Sequence, residues 1–365
     1  PEAIQWLYDL RLFGAKLGLE NPRRLAEQAG NPQDQLRIIH VAGTNGKGSV
    51  CAMLESIYRH AGYKTGLFTS PHLISFRERI QINRQLIAEE DIIRLAGEMR
   101  ALLHDCPGES HPTFFEVITV MALQHFAESK CDVVLLETGL GGRLDATNIV
   151  TPIASVITPV DKDHQQWLGD TLGQIAAEKS GIIKLGRPVF CAVQKPEAQA
   201  VIKSIAEERN AQFTLADTRV NLPALQLHGE HQKQNAALVA TVVKSLTANL
   251  PVEGVVIRDG LAKVHWPARA QLWSDAKRRF IFDAAHNPAS MRTLADILRK
   301  NHFGVLPAIL LGMSDEKNWR EMCRLIAPLA GRVMAVPTST QKAVSPEQIA
   351  KACSKYCETA TAESV

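Results

Sequence analysis

Residues 36–49 read Leu-Arg-Ile-Ile-His-Val-Ala-Gly-Thr-Asn-Gly-Lys-Gly-Ser, a short apolar run followed by a glycine-rich segment. The run 36–42 predicts a buried strand, and apolar residues then recur at helical spacing through 49–61. A glycine-rich loop between a strand and a helix points backbone N–H groups at phosphate. Lys47 adds a positive charge, and Ser49 adds a hydroxyl able to reach a magnesium ion. The stretch therefore predicts a nucleotide-binding α/β domain.

This loop is a variant of the common pattern G-x-x-x-x-G-K-[ST]. Val41 stands five residues before Gly46, and Gly48 separates Lys47 from Ser49. The alternative interpretation is a glycine-rich turn without a ligand. The position between a strand and a helix, together with the lysine, favours phosphate binding.

The alternation of short apolar runs and helix-period segments continues to residue 246. It predicts a doubly wound, mostly parallel sheet covered on both faces. The pattern starts again at residue 279 and predicts a smaller Rossmann-like α/β domain with three clear strands, which is few for an open sheet and suggests further strands beyond residue 365. The predicted organisation is an ATP-binding domain over 1–267, a linker over 268–277 and an apparently incomplete C-terminal domain over 278–365.

Composition narrows the class of protein. The chain has 365 residues, a net charge of +3, 45% hydrophobic and 22% charged residues, values typical of a folded globular protein rather than a disordered one. This balance gives no basic surface for nucleic acid, and no apolar run is long enough for a membrane span. The first residues show no signal-peptide pattern, and seven scattered cysteines do not form a disulfide framework. We expect reduced thiols in a cytoplasmic monomer that binds neither nucleic acid nor membrane.

Polar side chains follow or close three predicted strands. Ser70 follows the second strand, Glu137 closes the strand 132–137, and His164 follows the strand 153–158. Ligands of open parallel sheets bind outside the carboxyl ends of the strands, so these groups should gather near the phosphate loop. An oxygen-rich set with one nitrogen suits magnesium that keeps water and phosphate ligands. Taken singly, each residue could equally be a turn, a cap or a solvated side chain.

Lys179 lies on the apolar stripe of the predicted helix 171–183. A buried lysine tends to lose its proton, and a neutral amine can capture carbon dioxide as a metal-binding carbamate. The alternative is that its stem packs while the ammonium reaches water. Periodicity alone favours this alternative.

Seven ordered segments together resemble the folylpolyglutamate synthase/dihydrofolate synthase family of the Mur ligase superfamily. The resemblance extends from Lys16 to about Val336, and Ala268 stands where the family normally has glycine. The segments are GTNGKGS (43–49), FTSPHL (68–73), ETGLGGRLDATN (137–148), EKSGI (178–182), HQKQNA (231–236), WPAR (266–269) and DAAHNP (283–288).

The resemblance implies an ATP-dependent ligase that adds L-glutamate to dihydropteroate, to the glutamate tail of tetrahydrofolate, or to both. The reaction would pass through an acyl phosphate and release ADP and phosphate, with ATP as co-substrate and two Mg²⁺ ions. Closure of the second domain would bring Asp283 and His286 to the site. The implied metal ligands are Ser49, Ser70, Glu137, His164 and Lys179 as an N6-carboxylysine.

The resemblance also assigns the remaining roles. The implied catalytic residues are Lys47, Glu137, His164, Lys179 and His286. The implied ATP-binding residues are Thr44, Asn45, Gly46, Lys47, Gly48, Ser49, Asn235, Arg269 and Asp283. The implied pteroate- or folate-binding residues are Ala15, Lys16, Leu17, Thr113, Phe114, Phe115, Glu116 and Leu144.

Other classes of protein remain open at this point. A P-loop NTPase or kinase without ligation would leave Lys179 and the second α/β domain unexplained. A catalytically dead folate-binding protein would be favoured by replacement of Lys47, Glu137 or His164, and all three are present. The runner-up within the ligases is a Mur-type peptide ligase acting on a UDP-sugar, against which FTSPHL and DAAHNP favour the folate branch.

Overall fold

The structure, a computed structural model, describes residues 2–13, 18–104, 106, 111–300, 306–338 and 342–364. The chain forms two compact units: Pro1–Gln226 with Gln232–His265, and Leu227–His231 with Trp266–Val365. All seven cysteines are free thiols. Among the described residues, none of the helices combines the length and apolarity that crossing a bilayer requires.

A mostly parallel sheet forms the centre of the first unit, as predicted. Its strand order is β4-β3-β2-β5-β1-β6-β7-β8. Strands β2, β5, β1, β6, β7 and β8 pair in parallel, and β3 and β4 add an antiparallel edge. The strands are β1 (Ile38–Ala42), β2 (Thr65–Phe68), β3 (Ile80–Ile82), β4 (Gln85–Leu86), β5 (Val133–Glu137), β6 (Ala154–Ile157), β7 (Val189–Cys191) and β8 (Phe213–Leu215).

Helices link these strands and supply their connections. They are α1 (Glu2–Asp9), α2 (Glu20–Gln28), α3 (Lys47–His60), α4 (Glu89–Leu102), α5 (Phe114–Glu128), α6 (Gln165–Leu168), α7 (Leu172–Ser180), α8 (Pro196–Glu208), α9 (Glu230–Ser245) and α10 (Gly254–Ala262). Every residue of β1 and β5 is buried, and α3 is buried continuously from Gly48 to Tyr58. A strand buried on both faces is the expected result of a parallel sheet with helices on either side. The phosphate loop therefore follows directly after a strand in the interior of the sheet.

The second unit contains a hairpin and a small parallel sheet. Strands β9 (Gln271–Ser274) and β10 (Arg279–Phe282) pair antiparallel. The parallel sheet has the order β11-β12-β13. The remaining elements are α11 (Pro288–Lys300), β11 (Ala308–Leu311), α12 (Trp319–Ile326), β12 (Arg332–Ala335), α13 (Pro346–Cys353) and β13 (Glu358–Thr361).

Two details of the predicted organisation were wrong. The stretch 268–277, predicted as a linker, contains β9 and belongs to the second unit, because Leu272 and Trp273 lie in a strand paired with Ile281 and Phe280. Within its described residues the second unit has β9 and β13 in addition to the three predicted strands. Neither strand has the apolar pattern that predicts a strand. Asp275 and Lys277 directly follow β9, and β13 has no large apolar side chain.

Helix α10 packs closely against α3 at Gly260. The Ser56 hydroxyl donates a hydrogen bond of 2.7 Å to the carbonyl of Gly260. A Cβ at Gly260 would lie 2.6 Å from the Ile57 Cα, whereas a Cβ at Gly254, on the same helix, would meet nothing within 4 Å. The contact at Gly260 is between two backbones, so a side-chain rotation cannot relieve it.

We expect Gly260→Ala to lower the free energy of unfolding by about 1–3 kcal/mol, the usual cost of overpacking. Gly254→Ala is the matched control, since it adds the same methyl group to open space. Urea unfolding followed by circular dichroism measures both variants. Equal stability of the two variants would contradict the close approach of α10 to α3.

Candidate active site

The phosphate loop is attached to the chain that leaves β6. The N–H of Thr44 donates to the carbonyl of Pro159 at 3.0 Å, and the Thr158 hydroxyl donates to the carbonyl of Asn45 at 2.8 Å. Gly43 has a φ of 152°, and a Cβ there would lie 1.8 Å from Thr158 Oγ1. The loop conformation therefore depends on glycine at position 43.

Two lysines converge on one carbonyl of this loop. Lys47 Nζ donates to the carbonyl of Gly43 at 3.2 Å and to that of Thr44 at 3.4 Å. Lys179 Nζ donates to the same Gly43 carbonyl at 2.8 Å. Lys179 is 4% exposed, so the prediction that it lies on the buried face of its helix is confirmed, and its amine does not reach bulk water. Two lysine side chains thus meet at one backbone oxygen, and the charge of Lys47 gives the loop a positive potential that suits polyphosphate.

The start of α3 is packed against α9. Gly46, the N-cap, has a φ of 90°, and a Cβ there would lie 2.8 Å from Asn235 Oδ1. Asn235 donates to Gln232 Oε1 at 3.1 Å, and Gln232 donates to the hydroxyl of Ser49 at 3.3 Å. The structure thus brings Asn235 to the phosphate loop. Sequence reasoning missed Gln232, although its spacing of three residues from Asn235 places both on one helix face.

Glu137 and Ser70 are neighbours at the carboxyl ends of β5 and β2. Glu137 is 4% exposed, and its Oε2 accepts the N–H of Ser70 at 3.0 Å. Burial and then the charge of Glu137 raise the pKa of the Cys51 thiol on α3, and the charge of Lys47 opposes this shift. The Glu137 carboxylate and the Lys47 ammonium therefore both act on the interior at the start of α3.

His164 lies on the other side of β1, after β6. Its side chain is 41% exposed, its φ is 49°, and its Nε2 lies 3.9 Å from Asp163 Oδ1. Searched over the described residues, no three His, Cys, Asp or Glu side chains form a metal-binding group. A metal bound by the predicted ligands would take a carboxylate from Glu137 and an imidazole from His164. Its remaining ligands would be hydroxyls, water and phosphate, as is usual for magnesium.

Thr138, next to Glu137, adds an observation that fits a hydrated cation. Its N–H donates to the carbonyl of Val41 at 3.0 Å, which ties it to the end of β1. Its hydroxyl is buried and has no hydrogen-bond partner among the described residues. A buried hydroxyl that lacks a partner in the protein is expected to bind water or a ligand. The donor set around Glu137 therefore fits magnesium with bound water.

The predicted folate-binding residues fall into four groups. Ala15, Lys16 and Leu17 lie outside the described residues. Thr113 and Glu116 form a capping box at the start of α5, in which Glu116 Oε2 accepts the N–H of Thr113 at 2.6 Å. The aromatic pair is placed differently: Phe114 packs against Tyr8 with ring centroids 5.8 Å apart, and Phe115 against Phe68 at the same distance. Leu144 lies in the loop after β5, where its carbonyl accepts the N–H of Gly18 at 3.3 Å.

In the second unit, Asp283 joins two turns. Its carboxylate accepts the N–H of Ala270 at 2.7 Å and the N–H of Ala285 at 2.8 Å. Arg269 Nη1 donates to the carbonyl of Ala268 at 2.9 Å. Ala268 itself has a φ of 52°, in the left-handed region that favours glycine. Glycine is the residue that the family resemblance leads us to expect at this position. His286 Nδ1 lies 3.0 Å from the carbonyl of Ala284.

Comparison with known proteins gives consistent matches. The Mur ligase middle domain matches residues 41–256, and the Mur ligase glutamate ligase domain matches residues 268–365. The dihydrofolate synthase/folylpolyglutamate synthase of Bacillus subtilis is 36% identical over 357 residues, covering 90% of this chain and 83% of that protein.

Solved structures agree with these sequence matches. The folylpolyglutamate synthase of Thermotoga maritima has a TM-score of 0.87 and 31% identity, over 99% of this chain and 89% of that one. FolC of E. coli in complex with DHPP and ADP has a TM-score of 0.88 and 30% identity, over the same shares. At these identities the likeness covers sequence as well as fold.

We expect Gly43→Ala to weaken ATP binding at least about tenfold, because the added Cβ displaces Thr158 and with it the loop. Gly62→Ala is the control, since Gly62 also has a positive φ, of 89°, but a Cβ there meets nothing within 4 Å. Titration with a fluorescent ATP analogue measures affinity, and thermal melting checks folding. Unchanged affinity in a folded Gly43→Ala protein would contradict the role given to this loop.

Proposed function

Because the chain belongs to the Mur ligase family, and within it to the folylpolyglutamate synthase/dihydrofolate synthase group, we propose that it joins L-glutamate to a pteroate or folate acid at the expense of ATP. The observation that carries the proposal is the meeting of Lys47 and Lys179 at the Gly43 carbonyl, with the buried carboxylate of Glu137 close to the same helix start. The positive charge of Lys47 for a polyphosphate, the amine of Lys179 and a carboxylate for a cation are therefore all close to the start of α3.

The chemistry that this arrangement serves is activation of a carboxylate. A carboxylate is a poor acyl donor, and transfer of the γ-phosphoryl group of ATP to its oxygen gives an acyl phosphate. The amine of L-glutamate then attacks the carbonyl carbon, the amide bond forms, and phosphate leaves. Lys47 stabilises the negative charge of the phosphoryl group during transfer, and the N–H groups at the start of α3 hold the adjacent phosphates.

We assign two magnesium ions to the site, with Ser49, Ser70, Glu137, His164 and Lys179 as the protein ligands. Bound magnesium would neutralise phosphate charge and align the transferred group. The protein's own part is to keep these ligands in place: Ser70 is held by its N–H bond to Glu137, and Ser49 by Gln232. His164 contributes the nitrogen ligand of the set.

Lys179 contributes as a carbamate. Its deprotonated Nζ attacks carbon dioxide, an N–C bond forms, and one proton leaves the nitrogen for solvent. The product is an anion in a buried position, where it binds cations strongly because little water competes. In the structure the amine occupies the hydrogen bond to Gly43, 2.8 Å long, at the entrance to the loop.

The other residues bind substrates. Residues Thr44 to Ser49 hold the phosphates, and Asn235 contacts the nucleotide base. In the second unit, Arg269 and Asp283 serve ATP, and His286 serves the incoming glutamate. The pterin acid is bordered by Ala15, Lys16, Leu17, Thr113, Phe114, Phe115, Glu116 and Leu144. Thr113 and Glu116 act indirectly, because their polar groups bond to each other and fix the start of α5.

The test is ADP release with one component omitted at a time. We expect turnover only when Mg²⁺, L-glutamate and either dihydropteroate or tetrahydrofolate are all present. Lys47→Ala should lower kcat by about 10²–10³-fold, the effect of removing one stabilising charge at a transition state. Lys195→Ala is the control, since that lysine is half exposed and pairs with Asp161. ATP turnover that ignores glutamate and both pterin acids would indicate an NTPase and reject the ligase.

The carbamate gives a separate prediction for Lys179. We expect intact-protein mass spectrometry under mild conditions to show one added carbon dioxide, and removal of dissolved carbon dioxide to lower activity until bicarbonate is restored. Lys179→Ala should lose at least about 10²-fold in kcat and should not respond to bicarbonate. Lys162→Ala, an exposed change, should respond like the wild type. An unmodified Lys179 with full activity in Lys179→Ala would exclude the carbamate.

A further inference from the structure

Two arginines flank the ring of Phe114 in the first unit. The Arg11 Cζ lies 4.9 Å from the ring centroid of Phe114, and the Arg79 Cζ lies 5.4 Å from it. Arg11 also stacks on Tyr8, with its Cζ 4.2 Å from that ring centroid. Arg11 belongs to the turn that follows α1, and Arg79 to the turn before β3. Two distant segments thus deliver two positive charges to one aromatic side chain.

The charges of Glu137 and Glu78 offset only part of the cost of burying Arg79, since burial and the charge of Arg11 outweigh them. Neither Arg11 nor Arg79 forms an ion pair with a described carboxylate. The nearby carboxylate of Glu78 is occupied, because it accepts the N–H groups of Leu73 at 2.8 Å and of Ser75 at 2.7 Å. The Arg79 Nε donates to His72 Nδ1 at 2.8 Å, which is a neutral acceptor.

Arg79 is 6% exposed, so its charge is almost entirely removed from water. Burial and, next, the charge of Arg11 lower the pKa of Arg79 to about 10. Burying a cation is costly unless an ion pair offsets the cost, and Arg79 has no ion pair with a described carboxylate. The missing partner is therefore an anion that lies against an aromatic ring.

The pair is not bonded to the phosphate loop, although the charge of Glu137 acts on Arg79. Phe114 begins α5, in the segment that the proposed function gives to the pterin acid. The reacting carboxylate has to reach Lys47 at the Gly43 carbonyl, and no hydrogen bond between described residues joins Arg11 or Arg79 to the loop 43–49. A second carboxylate on the same substrate accounts for a second cationic site.

We propose that Arg11 and Arg79 form a subsite for the carboxylate that does not react, the α-carboxylate of the glutamyl residue in a folate substrate. This inference rests on the proposed function and goes further, because it makes the two arginines specificity residues. Dihydropteroate has only its reacting carboxylate, whereas tetrahydrofolate has a second one. The arginines therefore favour the substrate that already carries glutamate.

The test compares the two acids in binding and in turnover. We expect Arg79→Gln and Arg11→Gln each to weaken tetrahydrofolate binding and raise its KM by about 10–100-fold, the range for a lost charged hydrogen bond. Binding and KM of dihydropteroate should change by less than about threefold. Titration calorimetry in the presence of ADP gives affinities without turnover. If Arg79→Gln does not fold, Arg11→Gln still tests the proposal, because Arg11 is exposed and its replacement does not disturb the core.

Arg77→Gln is the matched control. It removes an arginine from the same turn, but one that donates to the Ile87 carbonyl at 2.6 Å and pairs with Glu89; both substrates should bind it normally. Equal losses for the two acids would place the arginines at the reacting carboxylate and overturn the inference. So would unchanged tetrahydrofolate binding in both variants, or a wild-type protein that ligates dihydropteroate but does not bind tetrahydrofolate. Failure to ligate either acid would instead reject the proposed function.

Discussion

The Gly43 carbonyl is the point on which the arrangement of the first unit depends. It accepts hydrogen bonds from two lysine side chains, Lys47 of the loop's own helix and Lys179 of α7. This shared acceptor ties the start of α3 and the end of α7 to the same loop residue. The same residue has no room for a Cβ, because Thr158 closes that side. These contacts fix the conformation of the loop, which lowers the entropy lost when polyphosphate binds.

The sequence was most informative where the local hydrophobic pattern and the position of the segment within the fold indicated the same structure. The run 38–42 is apolar throughout and precedes a glycine-rich loop, and it forms the interior strand β1. Lys179 could be assigned to a buried face by helical spacing, and it is buried. The hydrogen bond of its amine to Gly43 could not be foreseen, since it joins residues 136 positions apart through the order of β1 and β6 in the sheet.

Elements with mixed composition were the ones that sequence patterns missed. Strand β9 has exposed Leu272 and Trp273, so it lacks the alternation that marks a half-buried strand. The approach of Arg11 and Arg79 to the same Phe114 ring could not be predicted, for another reason. It needs the turn after α1 to meet the turn before β3, and neither turn carries a motif. Of the proposed site, the residues that lie in contiguous motifs could be named in advance, and those that act through long-range packing could not.

The glycines of residues 139–142 show how packing sets the spacing of the site. A Cβ at Gly139 would lie 2.6 Å from Phe115 Cζ, and a Cβ at Gly142 would lie 2.6 Å from the carbonyl of Lys179. Within a few residues of Glu137, one backbone segment therefore touches the aromatic side of α5 and the end of α7. Asp145 fixes the same segment by accepting the N–H groups of Leu140 and Thr147. A side chain at Gly139 would displace the ring of Phe115, and one at Gly142 would displace the backbone of Lys179. Because one short backbone segment makes both contacts, it connects the aromatic side of the site to the helix end that carries the buried lysine.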